Sequence, residues 1–331
     1  MEFKKFLVLG SNSFAGSSIV NELISKNYSV LGVSRSYQPS NYLLSYKLNT
    51  KVKNFDFSKI DLNLNFSDLK KKISQFEPDV LIDFAGQGMV AESWKKPDQW
   101  YITNIVSKVK LHKFLTESKL IKRYLRVSTP EIYGNSSKYL KETFNYRPST
   151  PYAVSHASID MSLMSFYEQY DFPVIFTRFS NFYGENQHLY RIIPRTILTL
   201  LGKREKLTID GNGKSIRSFI HKDDFCDGIL KTLENGSTGQ IYHFAAKEYI
   251  SVINLIKKIS FLMKVDYRNF VNFGPERPGK DFCYKLNCDK AKKKLNWNSK
   301  IFLDEGLKRV INWLNNITTI NKKDLNYIHK K

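Results

Sequence analysis

Long apolar runs are missing from this chain: no stretch reaches the roughly 18 residues that a membrane-crossing helix needs, and the short run Phe6–Leu9 passes straight into Gly and Ser. That start reads as a buried strand and not as a signal peptide. Cysteine is scarce. Cys226, Cys283 and Cys288 have neither the number nor the spacing of a disulfide framework or a zinc site, so a reducing cytoplasm and no metal are expected. Acidic residues are also in short supply, 31 against 52 Lys and Arg, for a formal charge of +21. The lysine runs at 70–72 and 292–294 lack interleaved aromatics, which argues against nucleic acid as a partner. Such an excess of positive charge suits attraction of a small, doubly negative diphosphate ligand.

What is present is a full core's worth of apolar residues, 42% of 331, without internal repeats or low-complexity tracts. The first half alternates short apolar strands with helical patterns. Strands are predicted at Lys5–Gly10, Tyr28–Ser34, Asp79–Ala85, Tyr124–Ser128 and Val174–Arg178. Helices are predicted near Ser17–Ser25, Leu69–Phe76, Trp100–Ser118 and from Thr150-Pro151 to Tyr170. This alternation implies an α/β fold, a Rossmann-like doubly wound parallel sheet covered on both faces. After about Asn181 the pattern loosens into a smaller C-terminal lobe. The expected division is 1–180 for the dinucleotide and the catalytic groups, and 181–331 mainly for substrate, with some chain crossing back.

Gly10-Ser-Asn-Ser13-Phe14-Ala15-Gly16 joins the first strand to the first helix. Glycines there let the backbone approach a pyrophosphate, and the helix N-terminus offers it unpaired N–H groups. Ser13 stands where a middle glycine is usual, and a tight turn alone would also explain the two glycines that remain. The second strand ends in Ser34-Arg35 and not in an acidic residue, which favours NADP over NAD while leaving both open. Asp56, with Phe57, is expected just beyond the next strand, against the adenine.

Three clusters fall beyond strand ends, where an open α/β sheet binds its ligands: Ser128–Gly134, Tyr152–His156 and Arg178–Gly184. With the glycine loop, they resemble the extended short-chain dehydrogenase/reductase family, and within it the nucleotide-sugar 4,6-dehydratases. The resemblance extends to Ala85-Gly86-Gln87 as a cofactor-covering loop, to Asp210–Asp224, to Arg277–Asp281, and to the closing helices around Trp297 and Trp313. It implies a soluble homodimer carrying a tightly bound NADP or NAD that is regenerated in each turnover of a nucleoside-diphosphate sugar. Tyr152 would take the proton of the sugar 4-hydroxyl, Thr129 would bond that oxygen, and Glu131 would take the C5 proton. Tyr152 and His156 would also touch the cofactor. Asn181, Arg195, Arg217 and Arg277 would bind substrate, the last two arginines clamping its diphosphate.

Two positions depart from the family pattern. The lysine expected four residues after the tyrosine, on the same helix face, is His156, an imidazole with an ordinary pKa near 6.5. Pro130 occupies the place of an aspartate that acts as general acid in the thymidine-diphosphate-glucose enzymes, although the similar GDP-mannose enzymes also lack that aspartate. The expected reaction is 4,6-dehydration. An epimerase or decarboxylase on the same class of substrate, or a catalytically weakened homologue that keeps the pocket, are the alternatives.

Overall fold

The first strand is the sequence Lys-Phe-Leu-Val-Leu, with everything after its first residue buried, and such a strand must be covered on both faces. In the computed structural model, which describes residues 2–276, 278–279 and 281–329, it lies near the middle of a seven-stranded sheet. The strands of that sheet are β1 (Lys5–Leu9), β2 (Ser29–Ser34), β3 (Phe55–Lys59), β4 (Val80–Asp83), β5 (Arg123–Ser128), β6 (Val174–Phe179) and β7 (Ile241–Phe244). All neighbours are parallel, in the order β7-β6-β5-β4-β1-β2-β3. The order reverses between β1 and β4, and the crevice beyond that switch point is where a doubly wound sheet holds its ligand.

The helices that flank the crevice are α1 (Phe14–Ser25), α2 (Phe66–Phe76), α3 (Ser107–Ser118) and α4 (Pro151–Tyr170). Phe6 and Val8 face one apolar layer with Ile19, Leu23 and Val30, while Leu7 and Leu9 face the other with Leu69, Leu111 and Leu163. At about 1.5–3 kcal/mol for each fully buried aliphatic side chain, these two layers dominate the favourable side of folding. Among the described residues no helix is long and apolar enough to cross a membrane.

β7 comes from beyond residue 180 and pairs with β6 from Ile241 against Phe176 to Phe244 against Phe179, so the chain crosses back into the first sheet. Residues on both sides of β7 in sequence build the second lobe. A three-stranded sheet of Asn181–Tyr183, Ile216–His221 and Tyr249–Ser251 packs with α5 (Ile192–Leu200) and the helices at Val252–Met263 and Leu303–Asn315. Its core joins Ile193, Ile197, Leu255, Ile259, Leu307 and Val310.

The helix expected over Trp100–Ser118 is broken in character. A short helix, Pro97–Tyr101, passes through a π-helical turn at Ile102–Val106 before α3 begins. Such turns are uncommon and tend to sit at functional sites. Asn104 is the buried residue of this one.

Candidate active site

Gly10 has a positive φ of 82°, and a Cβ there would lie 2.9 Å from the carbonyl carbon of Phe84. At Gly16 a Cβ would come within 2.3 Å of the Gly10 carbonyl oxygen, so the two ends of the turn touch through their glycines. Ser13 has its own task. Its Oγ accepts from the Gly16 N–H at 3.0 Å and caps α1. Phe14 and Ala15 open the helix and are buried, Phe14 stacking on Phe182 with ring centroids 5.8 Å apart. Ser34 closes the turn from β2, accepting from the Asn12 N–H at 3.0 Å.

These residues border a cleft of about 680 Å³ whose walls include Gly10, Ser13, Ser34, Arg35, Ala85 and Gly86. Arg35 reaches across to Gln87, NH2 to Oε1 at 3.2 Å. Gln87 is held in turn by Asn104, which accepts from its N–H at 2.8 Å and donates to its carbonyl at 3.1 Å and to Ser155 Oγ at 3.0 Å. One expectation needs correction. Asp56 and Phe57 lie inside β3, Asp56 exposed, and neither borders the cleft. The strand runs on to Lys59, so the acid–apolar pair past its end is Asp61-Leu62, and both of these line the cleft.

At the end of β5, Thr129 caps a single 3-10 turn, Pro130–Tyr133, its Oγ1 accepting from the Glu131 N–H at 3.3 Å. The proline fits there because the first residue of such a turn needs no N–H partner. Opposite, Thr150 caps α4 by accepting from the Ala153 N–H at 3.1 Å, and Pro151 sets the first turn. Tyr152 is thereby brought near Thr129, whose hydroxyl favours ionisation of the phenol. Burial, and then the nearby Glu131 carboxylate, push the phenol above its ordinary pKa, while Thr129, Arg191 and Arg126 act against them. One helical turn on, the ring centroid of His156 lies 4.5 Å from that of Tyr152.

The second lobe brings Tyr284 to the same place. Its hydroxyl donates to Asn181 Oδ1 at 2.8 Å, and Glu131 and Tyr152 both raise its proton affinity, after burial. Arg217 lies over the Tyr284 ring, 4.6 Å from the centroid. Its NH1 donates to the Ile216 and Phe282 carbonyls and its NH2 to the Asp281 carbonyl, so it pins the 281–284 segment into the site. Arg195 is half-buried on α5 with Asp210 as its countercharge. Arg191, the N-cap of that helix, acts on the Tyr152 phenol together with Arg126. Arg277 lies outside the described residues.

The sequence reading missed Asp61, Asn104, Arg126, Arg191 and Tyr284. Arg126 carried a usable signal, since a charged residue inside an otherwise apolar parallel strand must have buried partners. Tyr284 carried none, because the stretch that delivers it has no periodicity. Among the described residues no group of three or more His, Cys, Asp or Glu could hold a metal ion.

The parallel sheet with its switch-point cleft, the glycine-ended turn against a helix N-terminus, and the Tyr–Thr pair beyond the end of β5 define a dinucleotide-binding enzyme of the short-chain dehydrogenase/reductase type. The chain belongs to the GDP-mannose 4,6 dehydratase family, whose sequence profile matches residues 7–310. It is 30% identical to human dTDP-D-glucose 4,6-dehydratase over 320 residues, 94% of this chain and 89% of that protein. Its fold is similar to that of Streptomyces venezuelae DesIV, a dTDP-glucose 4,6-dehydratase solved with NAD bound (TM-score 0.87, 25% identity, 95% of this chain and 97% of that one). It is also similar to a UDP-glucose 4-epimerase from Thermotoga maritima, solved with UDP-glucose (TM-score 0.83, 26% identity, 94% and 98% of the two chains).

Proposed function

We propose that this protein is a nucleotide-sugar 4,6-dehydratase, converting a nucleoside-diphosphate hexose to its 4-keto-6-deoxy form. The observation that carries the reading is the convergence of Glu131, Tyr152 and Thr129 beyond the end of β5. A simple 4-epimerase needs the hydroxyl pair but has no use for a carboxylate beside it. In this reading residues 1–180 hold the dinucleotide and the reacting groups, and 181–331 mainly hold the sugar nucleotide.

The cleft suits a nicotinamide dinucleotide: the glycine turn and the α1 N-terminus would take its pyrophosphate, and Asp61 and Leu62 would lie by its adenine. Bound there, the dinucleotide supplies a hydride acceptor for sugar C4 and a hydride donor for C6, and so needs no net oxidant. DesIV holds NAD, whereas Arg35 with Lys59 beside the same wall favours a 2′-phosphate, so either dinucleotide is accommodated.

Tyr152, once deprotonated, takes the 4-hydroxyl proton, a step for which a positioned base typically contributes about 10²–10⁴-fold. Thr129 fixes that oxygen. The 4-ketone acidifies the C5 proton, which Glu131 removes as the 6-hydroxyl leaves as water; when hydride returns to C6, C5 takes a proton from solvent. With Pro130 unable to donate a proton, the leaving hydroxyl is protonated by Glu131 itself, by Thr129 or by water. His156 would bond the nicotinamide ribose in place of a lysine. Asn181, Arg195, Arg217 and Arg277 belong to the sugar-nucleotide side, with Arg191 and Tyr284 added to them.

Two chains pair through α4 and the π-helical turn, whose Tyr101, Ile102, Val106 and Met161 are exposed apolar side chains. The three unpaired cysteines suit a reducing cytoplasm.

The test is incubation with GDP-, UDP-, CDP- and dTDP-hexoses, with and without NAD or NADP, followed by mass spectrometry. A product lighter by one water without net cofactor consumption supports dehydration and names the nucleotide. Unchanged mass with altered sugar configuration would replace this reading with epimerisation.

A further inference from the structure

One turn beyond Tyr152, the His156 ring is wedged against an arginine in the middle of β5. Arg126 is buried. Its Nε donates to Asp160 Oδ1 at 3.0 Å, its NH1 lies 3.8 Å from Asp83 Oδ2, and its NH2 lies 3.0 Å from His156 Nδ1. A guanidinium only donates, so Nδ1 is the accepting nitrogen and the ring carries its proton on Nε2. Protonation of Nδ1 would set N–H against N–H and put a second cation beside the first.

The groups facing His156 agree. Burial and then Arg126 push its pKa well below the imidazole range, Lys108 from α3 adds to that, and Asp83 from β4 opposes it. On its own helix the neighbours are Tyr152 and Asp160. Asp160 also accepts from Ser128 Oγ at 2.6 Å and pairs with Arg178 at 3.5 Å, and Asp83 pairs with Lys108. Three cations thus face two carboxylates, leaving one positive charge behind the tyrosine. Arg126 is also among the groups that draw the Tyr152 phenol toward ionisation.

We propose that Arg126 and His156 together replace a single ammonium at the tyrosine, Arg126 supplying a fixed positive charge and His156, locked as its Nε2–H tautomer, supplying the hydrogen-bond donor. The inference rests on the reading of Tyr152 as the proton acceptor of the reaction. Charge and donor, which a lysine combines on one helix, are here divided between a strand and a helix. Because a guanidinium keeps its proton throughout the working range, the charge does not depend on the histidine titrating. Arg126 is a positioning residue: it acts through His156 and through its field.

The test uses the whole protein with histidine rings labelled in 15N, His156 being assigned with His156→Gln. The parent should show His156 with Nδ1 unprotonated, Nε2 protonated and no titration between pH 5 and 9. In Arg126→Gln the tautomer should mix or titrate, and the acid limb of kcat/KM should move to higher pH by about one unit, as loss of a nearby opposite charge predicts. His156→Lys alone puts two cations in contact and should stay poor, whereas Arg126→Leu with His156→Lys restores a single cation and should recover activity. A folded Arg126→Gln whose pH profile superimposes on the parent overturns the proposal. If that variant does not fold, the parent spectrum decides: a His156 that titrates near pH 6.5, or carries its proton on Nδ1, contradicts it. Failure of the dehydratase reading looks different, with no hexose turned over while the His156 signals remain as expected.

Discussion

Tyr284 donates its hydroxyl to Asn181 Oδ1 across 2.8 Å, tying an irregular late segment to the strand that follows β6. That bond holds the Tyr284 hydroxyl where Glu131 and Tyr152 act on it. Tyr284→Phe keeps the ring under Arg217 and removes only the hydroxyl. The expected outcome is a KM for the sugar nucleotide raised about 3- to 10-fold, the value of one neutral hydrogen bond, with kcat nearly unchanged. Steady-state kinetics check it, and an unaltered KM would remove Tyr284 from the substrate side.

Glu131 and Tyr152 face each other but serve different steps, so their variants should fail differently. Tyr152→Phe should lower turnover by about 10²-fold or more by slowing oxidation of the 4-carbon itself. Glu131→Gln should still oxidise C4 yet lose C5 exchange with solvent deuterium and lose water elimination. Mass spectrometry of sugar recovered from D2O separates the two, and a Glu131→Gln that dehydrates at the parental rate would exclude Glu131 as the C5 base.

His112 has a consequence for stability. It is fully buried and donates Nε2–H to Tyr124 Oη at 3.0 Å, because the Tyr124 proton is given to Asp83 Oδ2 at 2.7 Å. Burial first, then Lys108 and Arg126, hold its pKa at about 3, with Asp83 opposing. An unfolded histidine titrates near 6.5. Between those values the unfolded chain takes up a proton that the folded chain refuses, so this contribution is complete above pH 6.5 and falls away toward pH 3. The slope approaches about 1.4 kcal/mol per pH unit. Urea unfolding at pH 7.5, 6 and 5 should show a shallower decline for His112→Gln than for the parent; parallel declines would contradict this assignment.

The last described residues cross the mouth of the dinucleotide cleft. Asp324 Oδ2 accepts from Ser40 Oγ at 2.6 Å and from Tyr42 Oη at 2.5 Å, and the His329 ring stacks on Trp100 at 5.3 Å with Nε2 2.6 Å from Gln99 Oε1. Tyr327 and Ile328 line the cleft between these anchors. Ending the chain at Asn321 should therefore weaken dinucleotide retention about 10-fold, in line with losing two hydrogen bonds to a carboxylate. Dinucleotide released after gel filtration is the readout, and equal retention would show that the segment does not hold the cofactor in.

Much of this was legible before the structure. Buried parallel strands are near-continuous apolar runs, so β1, β2, β4, β5 and β6 stood out, as did the glycine turn and the Thr150-Pro151 start of α4. β3 failed because it is an edge strand with half its residues facing water. Its Phe-Asp-Phe-Ser-Lys has no apolar run, and Asp56 was placed past an end that comes three residues later. Tyr284 and Arg191 were hidden for another reason: long-range packing delivers them, and local pattern does not record that. Arg126 lay in plain view as a charge within a buried strand, but its partner His156 belongs to a helix 30 residues further on.

The central claim is that one site removes hydrogen from C4 and returns it to C6 while Glu131 drives water out between them. The direct measurement is to offer dTDP-glucose, UDP-glucose and GDP-mannose, each deuterated at C4, and to weigh and map the product. The account predicts, for the accepted nucleotide, a 4-keto-6-deoxy sugar lighter by one water with the deuterium retained at C6. A product of unchanged mass, or a dehydrated sugar whose deuterium has been lost to solvent, would contradict it.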